Sequence, residues 1–379
     1  MGEPVTTRFL KPFDPVDRPV FEQAWSVLSD HLPADSDLLK TNINLVWASE
    51  KLYLARGGKP PVFALIEENG IPLGLLPLRV HTDAKLGGKF VAIHEHPARL
   101  SGAGVLVKKG ELDRVVTAMV RDARKNWKAT SGFYLEGLEA SSALYSALVE
   151  AVGPFRMITR TPKREYYIDL SDCTNIEDFS RAKSRNYRKN VSRGLKRLSE
   201  DGGYEYHRAL PGEQNSFDQL AEIDRQTWRA REREGDLPAT LIEFCRGLQN
   251  GIGDVAEGRI EAIEFNGKPI AMLYSLQVGD RLYGLKHTFD PEYTSYQPVM
   301  VLMQHTIEEA INNDVRYIEM LTGSTHATTW AANAHDLSQD VVYFASPLGY
   351  ASLATMRLLR ALKGLRETLK AKQKGEVQA

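Results

Sequence analysis

Apolar and polar positions fall into the same pattern twice along the chain, first in LIEENGIPLGLL (Leu65 to Leu76) and again in AIEFNGKPIAML (Ala262 to Leu273). The two stretches superimpose without a gap. In each, Asn-Gly supplies the positive backbone dihedrals of a two-residue hairpin turn, and the apolar runs on either side read as strands. Pro72 and Pro269 hold the same place at the start of the second strand, where a missing N–H is tolerated. Further along each half a helical segment, Glu111 to Lys128 and Val299 to Asn313, leads into a short strand. Those strands read Tyr-Leu-Glu-Gly-Leu from Tyr134 and Tyr-Ile-Glu-Met-Leu from Tyr317. Two matches in one order point to a duplicated unit.

The period and punctuation of the second half predict a strand at Tyr204 to Arg208, then helices at Glu213 to Arg233 and Pro238 to Gln249, the latter opened by a proline in its first turn. A three-strand meander follows at Arg259 to Phe265, Ile270 to Val278 and Arg281 to Phe289, with turns at Asn266-Gly267 and Gly279-Asp280. Next come a helix from Pro298, a strand at Arg316 to Leu321, a loop at Gly323, a short helix around Trp330 and a strand at Val341 to Phe344. Between Arg181 and Leu198 there are eight basic side chains and no acidic one, while Tyr187, Val191, Leu195 and Leu198 recur at helical spacing. That is an amphipathic helix, ended by Gly202-Gly203. The segment Leu348 to Lys372 mixes apolar residues with Arg357, Arg360, Lys363 and Arg366, which suits packing at a domain junction or in a dimer, or an interfacial membrane helix.

At 379 residues the chain exceeds the size at which single cores stop growing, so two domains are expected. Lys plus Arg total 48 against 49 Asp plus Glu, so no overall field draws the molecule to nucleic acid or an anionic membrane. Cys173 and Cys245 are too few for a disulfide framework and lack the spacing of a zinc site. The first residues, MGEPVTTRFLKPFD, lack the apolar core of a signal peptide, and no apolar run reaches the roughly 18 to 20 residues of a membrane span. The sequence therefore reads as soluble and cytoplasmic. It holds no metal constellation, no GxSxG elbow and no GxxxxGK[ST] phosphate loop.

Strand, two helices, three antiparallel strands, helix, strand, helix, strand is the order of the GNAT acyltransferase fold. The stretch Tyr166 to Ser346 resembles the C-terminal domain of CelD/BcsL-type acetyltransferases, a GNAT group. The matching residues are SRNYRKNVSRGLKRL, Trp228, FNGKPIAML, GDRLYGLKHTFDPEY, TSYQP, IEEAINNDVRYIEML, and Gly323 with Trp330. The first half resembles the degenerate N-terminal GNAT unit of the same group and of the Fem peptidoglycan transferases. The resemblance implies an α/β chain of tandem GNAT folds, with mixed, mostly antiparallel sheets flanked by helices. It divides the chain into a degenerate unit at 1–165, the acyltransferase unit at 166–346, and a C-terminal helix and tail at 347–379. The implied activity is N- or O-acyl transfer, other than aminoacyl, from acetyl-CoA, another acyl-CoA or an acyl carrier protein. The implied acceptor is an amine or hydroxyl of a polar small molecule or saccharide. Two alternatives stand beside it, namely an aminoacyl-tRNA-dependent transferase like the Fem proteins and a degenerate binding protein, and both monomer and homodimer remain open.

By the same resemblance the fourth and fifth strands of the unit, Arg281 to Phe289 and Arg316 to Leu321, splay apart around a pantetheine arm, and the pyrophosphate sits on the N-terminus of the intervening helix. The corresponding segment is Tyr296-Gln297-Pro298-Val299-Met300. Relatives show Ser-Pro-Gly here, so Val299 at the glycine position narrows the cradle, although the Gln297 amide can donate. A plain helix start is the other reading. His287 lies on the strand that would face a thioester and suits deprotonation of an amine or hydroxyl, with Lys286 on the opposite face. A half-buried histidine satisfied by a neighbour is the bland alternative. Glu319 sits mid-strand, where a carboxylate must be paired or reactive, and its counterpart Glu136 argues for structure. In the loop after it, His326 is a catalytic or a solvent-facing histidine, and Ala327 replaces the usual lysine of relatives. Tyr293 and Tyr296 can protonate a leaving thiolate or cover a core edge. The basic helix is a solvated face, or a contact for the phosphates of CoA, for an acidic carrier protein or for a tRNA acceptor arm.

Overall fold

The computed structural model describes residues 5–32, 37–55, 60–83, 88–93, 100, 102–153, 157–209, 216–227, 237–253, 255–323 and 327–376. The first half runs β1 (Thr6–Leu10), α1 (Arg18–Ser29), α2 (Ile43–Ala55), β2 (Val62–Glu68), β3 (Ile71–Asp83), β4 (Gly88–Ile93), β5 (Leu106–Val107), α3 (Leu112–Asn126), β6 (Gly132–Glu139), α4 (Ala143–Val152), β7 (Met157–Ile158) and β8 (Lys163–Asp169). The second half runs α5 (Ile176–Arg181), α6 (Arg185–Glu200), β9 (Tyr204–Ala209), α7 (Ser216–Gln226), α8 (Leu237–Gln249), β10 (Glu257–Phe265), β11 (Lys268–Val278) and β12 (Arg281–Phe289). It continues with α9 (Pro298–Asn312), β13 (Tyr317–Glu319), β14 (Asn333–Tyr343) and α10 (Pro347–Glu376).

The duplication is visible in backbone detail. Asn69 and Gly70 turn at φ 54° and 75°, and Asn266 and Gly267 at φ 52° and 73°, the paired positive values that a two-residue turn needs. The register of β2 on β3 shifts between Ile66 and Glu67, and that of β10 on β11 between Ile263 and Glu264. These shifts fall at equivalent positions of the repeat. In each half, too, a parallel pair closes the unit, β4 with β6 and β12 with β13. The chain is therefore an α/β protein built from two copies of one unit, with a large, mostly antiparallel sheet flanked by helices.

The strands join into one sheet in the order β1-β2-β3-β4-β6-β14-β8-β13-β12-β11-β10-β9, with β5 on β3 and β7 on β14. At its centre the halves exchange strands: β8, from the first half, pairs with β13, whereas β14, the matching strand of the second half, pairs with β6. The expected division at Tyr166 thus falls inside β8. Packing also crosses the division. Leu39, Leu45 and Leu100 of the first half share a core with Phe244, Leu248 and Tyr274 of the second. The opposite face of the second sheet half is covered by α6 and α9, whose Tyr187, Val191, Val301 and Ile307 meet Leu273 and Leu282.

Some expected elements differ in extent. The strand expected over Arg316 to Leu321 is confined to Tyr317–Glu319, because Met320 and Thr322 bond Tyr166 of β8 and Leu321 turns at φ 49°. The strand expected from Val341 begins at Asn333, since pairing with β8 extends it. The short helix expected at Trp330 is a 3-10 turn over Ala327–Thr329. The helix expected to reach Arg233 is described to Gln226, and Trp228 lies outside the described residues. Among the described residues, no helix is long and apolar enough to cross a membrane.

Where β6 meets β14, a Cβ on Gly132 would lie 2.1 Å from the Val342 carbonyl oxygen and 2.8 Å from Tyr343 Cα. Gly132→Ala is expected to lower stability by about 1 to 3 kcal/mol, the cost of forcing atoms into a packed contact. Gly247→Ala, exposed in the last turn of α8 with nothing within 4 Å, is expected to raise it by up to roughly 0.5 to 1 kcal/mol. Urea unfolding of both variants checks the pair.

Candidate active site

Parallel pairing between β12 and β13 stops after three steps, Arg281↔Tyr317, Leu282↔Ile318 and Tyr283↔Glu319. Beyond them β12 stays with β11 as far as Ala271↔Phe289. The chain after β13 follows β8 instead: the Met320 N–H donates to the Tyr166 carbonyl at 3.0 Å, and the Tyr166 N–H to the Thr322 carbonyl at 3.1 Å. A bulge adds to the divergence, since Tyr274 faces Lys286 while Ser275 faces Gly284, which leaves Leu285 as the extra residue. The result is a wedge with Gly284 at its floor, where a Cβ would stand 3.5 Å from the Glu319 carbonyl oxygen. An extended chain can add to such an open strand edge through main-chain hydrogen bonds.

Beside that floor, on the α7 and α8 face of the sheet, lies a polar array shared by both halves. Glu319 is buried, and its carboxylate accepts from Arg281 Nη1 at 2.6 Å and stands 3.2 Å from His335 Nε2. His335 stacks on Tyr167 at 4.6 Å between ring centroids, and its Nδ1 is 3.7 Å from Glu139 of β6. The Arg281 guanidinium lies 4.6 Å over the Tyr317 ring. The buried Tyr283 hydroxyl donates to Asp37 at 2.6 Å, and Asp37 is 3.6 Å from Lys40. The bond to Glu319 raises the His335 imidazole above its ordinary value against the opposing effect of burial, with the charges of Glu319 and Glu139 adding to the rise. On the bulge, Lys286 turns to the same face and pairs with Asp224 of α7 at 2.5 Å, with both side chains largely buried.

Of the residues singled out from sequence, Glu319 stands at the wedge floor, held between two donors. His287 is exposed on the α6 and α9 side of β12, past the last paired step, while Lys286 turns to the opposite face as expected. Tyr293 and Tyr296 lie in the 3-10 turn Pro291–Tyr296 and pack on Phe265 at 6.0 and 5.1 Å, the arrangement of a core edge. The Tyr296 hydroxyl donates to Asp201. Met300 is buried and Val299 half-buried at the start of α9. His326 lies outside the described residues. Sequence reasoning passed over Arg281, Tyr283, His335 and Asp37. Their joint role rests on contacts between the two halves of the chain, for which the linear pattern carries no signal.

Residues 185–328 match the family model of the acetyltransferase (GNAT) domain. This stretch is a GNAT domain. Three solved structures share the fold along most of this chain. FemX superimposes with a TM-score of 0.56 at 10% identity, over 85% of this chain and 95% of its own. A conserved protein of unknown function from Bacteroides thetaiotaomicron VPI-5482 gives 0.55 at 15%, over 89% and 100%. L-PGS from Bacillus licheniformis gives 0.53 at 11%, over 93% and 98%. No curated protein matches the sequence.

A GNAT domain implies an acyl-CoA donor, whose two ends would meet different surroundings here. The end of the β12–β13 ladder is where main-chain groups could pair with a pantetheine arm. The start of α9 does not fit a diphosphate: Pro298 has no N–H, the Met300 and Val301 N–H groups already bond the Gln297 carbonyl at 2.9 and 3.1 Å, and only Val299 is left of the first turn. Gln297 takes the left-handed conformation at φ 54°, and its amide donates to the Thr294 carbonyl. Helix α6 crosses directly over this point, so closely that a Cβ on Gly194 would lie 2.7 Å from the Tyr296 carbonyl oxygen. The Arg197 guanidinium then caps the Ser295 carbonyl at 2.7 Å.

The stabilisation that His335 gains from Glu319 is fully present below the unfolded imidazole value, about 6.5, and is lost as pH rises through its raised folded value. Glu319→Gln is expected to return the His335 titration, followed by NMR, toward the ordinary imidazole value. Its stability deficit in urea should be largest on the acid side of that window.

Proposed function

We propose that the second GNAT unit transfers an acyl group from a pantetheine-linked thioester to an amine or hydroxyl of a polar small molecule or saccharide bound at the junction of the two halves. The wedge beyond Tyr283 and Glu319 carries this reading, because the ladder between β12 and β13 ends there beside a polar array. His335, half-buried and oriented by Glu319, is the group we assign to take the acceptor's proton. The acceptor's lone pair forms the new C–N or C–O bond, the C–S bond breaks, and the proton held at His335 returns to the departing sulfur. Arg281 fixes Glu319, so that the carboxylate aims the imidazole and balances its charge. At the bulge, Leu285 stands outside the β11 ladder, and its main-chain N–H is the group we assign to meet a developing oxyanion. The pair Lys286–Asp224 gives the acceptor face a charged anchor. His287, on the other wall of the wedge, is the second candidate for the proton acceptor.

Free-thiol release from acyl-pantetheine thioesters, with hydroxylamine and simple sugars as acceptors, measures the reaction. His335→Gln is expected to lower kcat by about 10² to 10⁴, the usual worth of a positioned base. The acid limb of the wild-type rate profile should lie above the ordinary imidazole value, and Glu319→Gln should move it down. Loss in His287→Gln with none in His335→Gln would transfer the assignment to His287. Silence with every thioester would remove acyl transfer itself.

A further inference from the structure

Helix α6 presents two faces of different character. Tyr187, Val191, Gly194 and Leu198 are buried against the core and the start of α9. Arg185, Lys189, Arg193 and Lys196 follow at i, i+4, i+8 and i+11, all exposed, and form one stripe on the opposite side. Along the axis that stripe spans about 16 Å at 1.5 Å per residue. The neighbouring basic groups are engaged: Lys183 donates to the Trp330 carbonyl, Arg188 to the carbonyls of Arg181 and Lys183, and Arg197 to that of Ser295. Lys196 reaches Glu200 at 3.6 Å. Arg185, Lys189 and Arg193 have no ion-pair partner among the described residues. No acidic residue lies between Arg181 and Leu198 to balance the stripe. Gly194, in the middle of this run, is the point where α6 touches Tyr296 and Gln297 at the outer end of the wedge.

We infer that the acyl donor is carried on an acidic carrier protein, which docks on the Arg185–Lys189–Arg193–Lys196 stripe of α6 and passes its phosphopantetheine arm into the wedge between β12 and β13. This rests on the thioester reading above and specifies its donor. CoA and a carrier protein share the pantetheine arm and differ beyond its first phosphate. The wedge suits the shared part. The start of α9, with its proline, its engaged N–H groups and the helix lying over it, does not suit the diphosphate and nucleotide that CoA adds. A carrier's single phosphodiester asks for fewer donors. Its recognition shifts to protein charge, which the stripe supplies on the outward face of the helix that covers the start of α9. A nucleic-acid donor would instead call for a broad positive field to neutralise many phosphates, whereas 48 basic residues here stand against 49 acidic ones and the cationic surface of α6 is one short stripe.

The test compares acetyl and octanoyl groups, each carried on CoA and on a bacterial acyl carrier protein, using the full chain with hydroxylamine as acceptor. The carrier-borne donor is expected to have kcat/KM at least tenfold above the same acyl-CoA, with the preference shrinking as salt rises. Lys189→Glu combined with Arg193→Glu should cut that preference at least tenfold, and Lys189→Arg with Arg193→Lys should keep it. Fluorescence anisotropy of labelled carrier should show the phosphopantetheine-bearing form binding more tightly than the apo form. Equal or better use of acyl-CoA, or a preference indifferent to charge reversal, overturns the inference and leaves acyl transfer in place. A melting-temperature rise with aminoacyl-tRNA and none with the carrier overturns it in favour of a nucleic-acid donor. Tight, charge-dependent carrier binding without thiol release would keep the docking surface and sink the transfer reaction.

Discussion

The parallel pairing of β12 with β13 lasts for three residue pairs, and the rest of the second unit is arranged around the place where it ends. Two forces pull the strands apart there. On one side Tyr166 of β8 takes up the backbone groups of Met320 and Thr322, so the chain leaving β13 continues along β8. On the other, the extra residue at Leu285 sharpens the twist of β12 and keeps it on β11. Gly284 adds no side chain of its own at the floor, and Glu319 marks the last paired step. One wall of the opening is β12, held on β11, and the other is the chain leaving β13, held on β8 by Tyr166.

That arrangement gives the first half a structural part in the second half's site. The strand that draws the chain away from β12 is β8, which belongs to the first repeat, and β14 from the second repeat fills the matching place beside β6. His335 rides on the exchanged β14 and reaches both Glu319 of β13 and Glu139 of β6. Asp37 crosses the division to receive the Tyr283 hydroxyl. Separating the units would expose the shared core around Leu45 and Phe244 and dismantle the polar array together.

Comparing the two copies shows what was added to the second. Glu136 and Glu319 occupy matching strands and each binds an arginine, Arg79 at 3.2 Å and Arg281 at 2.6 Å. Pairing with arginine is the shared, structural part of the position. Only Glu319 also meets an imidazole, in a more buried setting, and that difference separates a carboxylate that braces a sheet from one that can orient a base.

The sequence by itself determined the repeat, the hairpins and the order of elements, because Asn-Gly turns, helical apolar spacing and strand alternation are local properties that a chain carries wherever it folds. It also brought Glu319, His287 and the start of α9 into view, each through an unusual residue in a legible element. The tertiary structure alone decided how far β13 extends, which strands are exchanged, and that His335, Tyr283, Asp37 and Arg281 converge. Those outcomes depend on which backbone edges compete for which partners across well over a hundred residues of separation, as between Asp37 and Tyr283. The closeness of α6 to α9 was hidden for the same reason: Gly194 is an ordinary helical glycine until a neighbouring carbonyl lies where its Cβ would be.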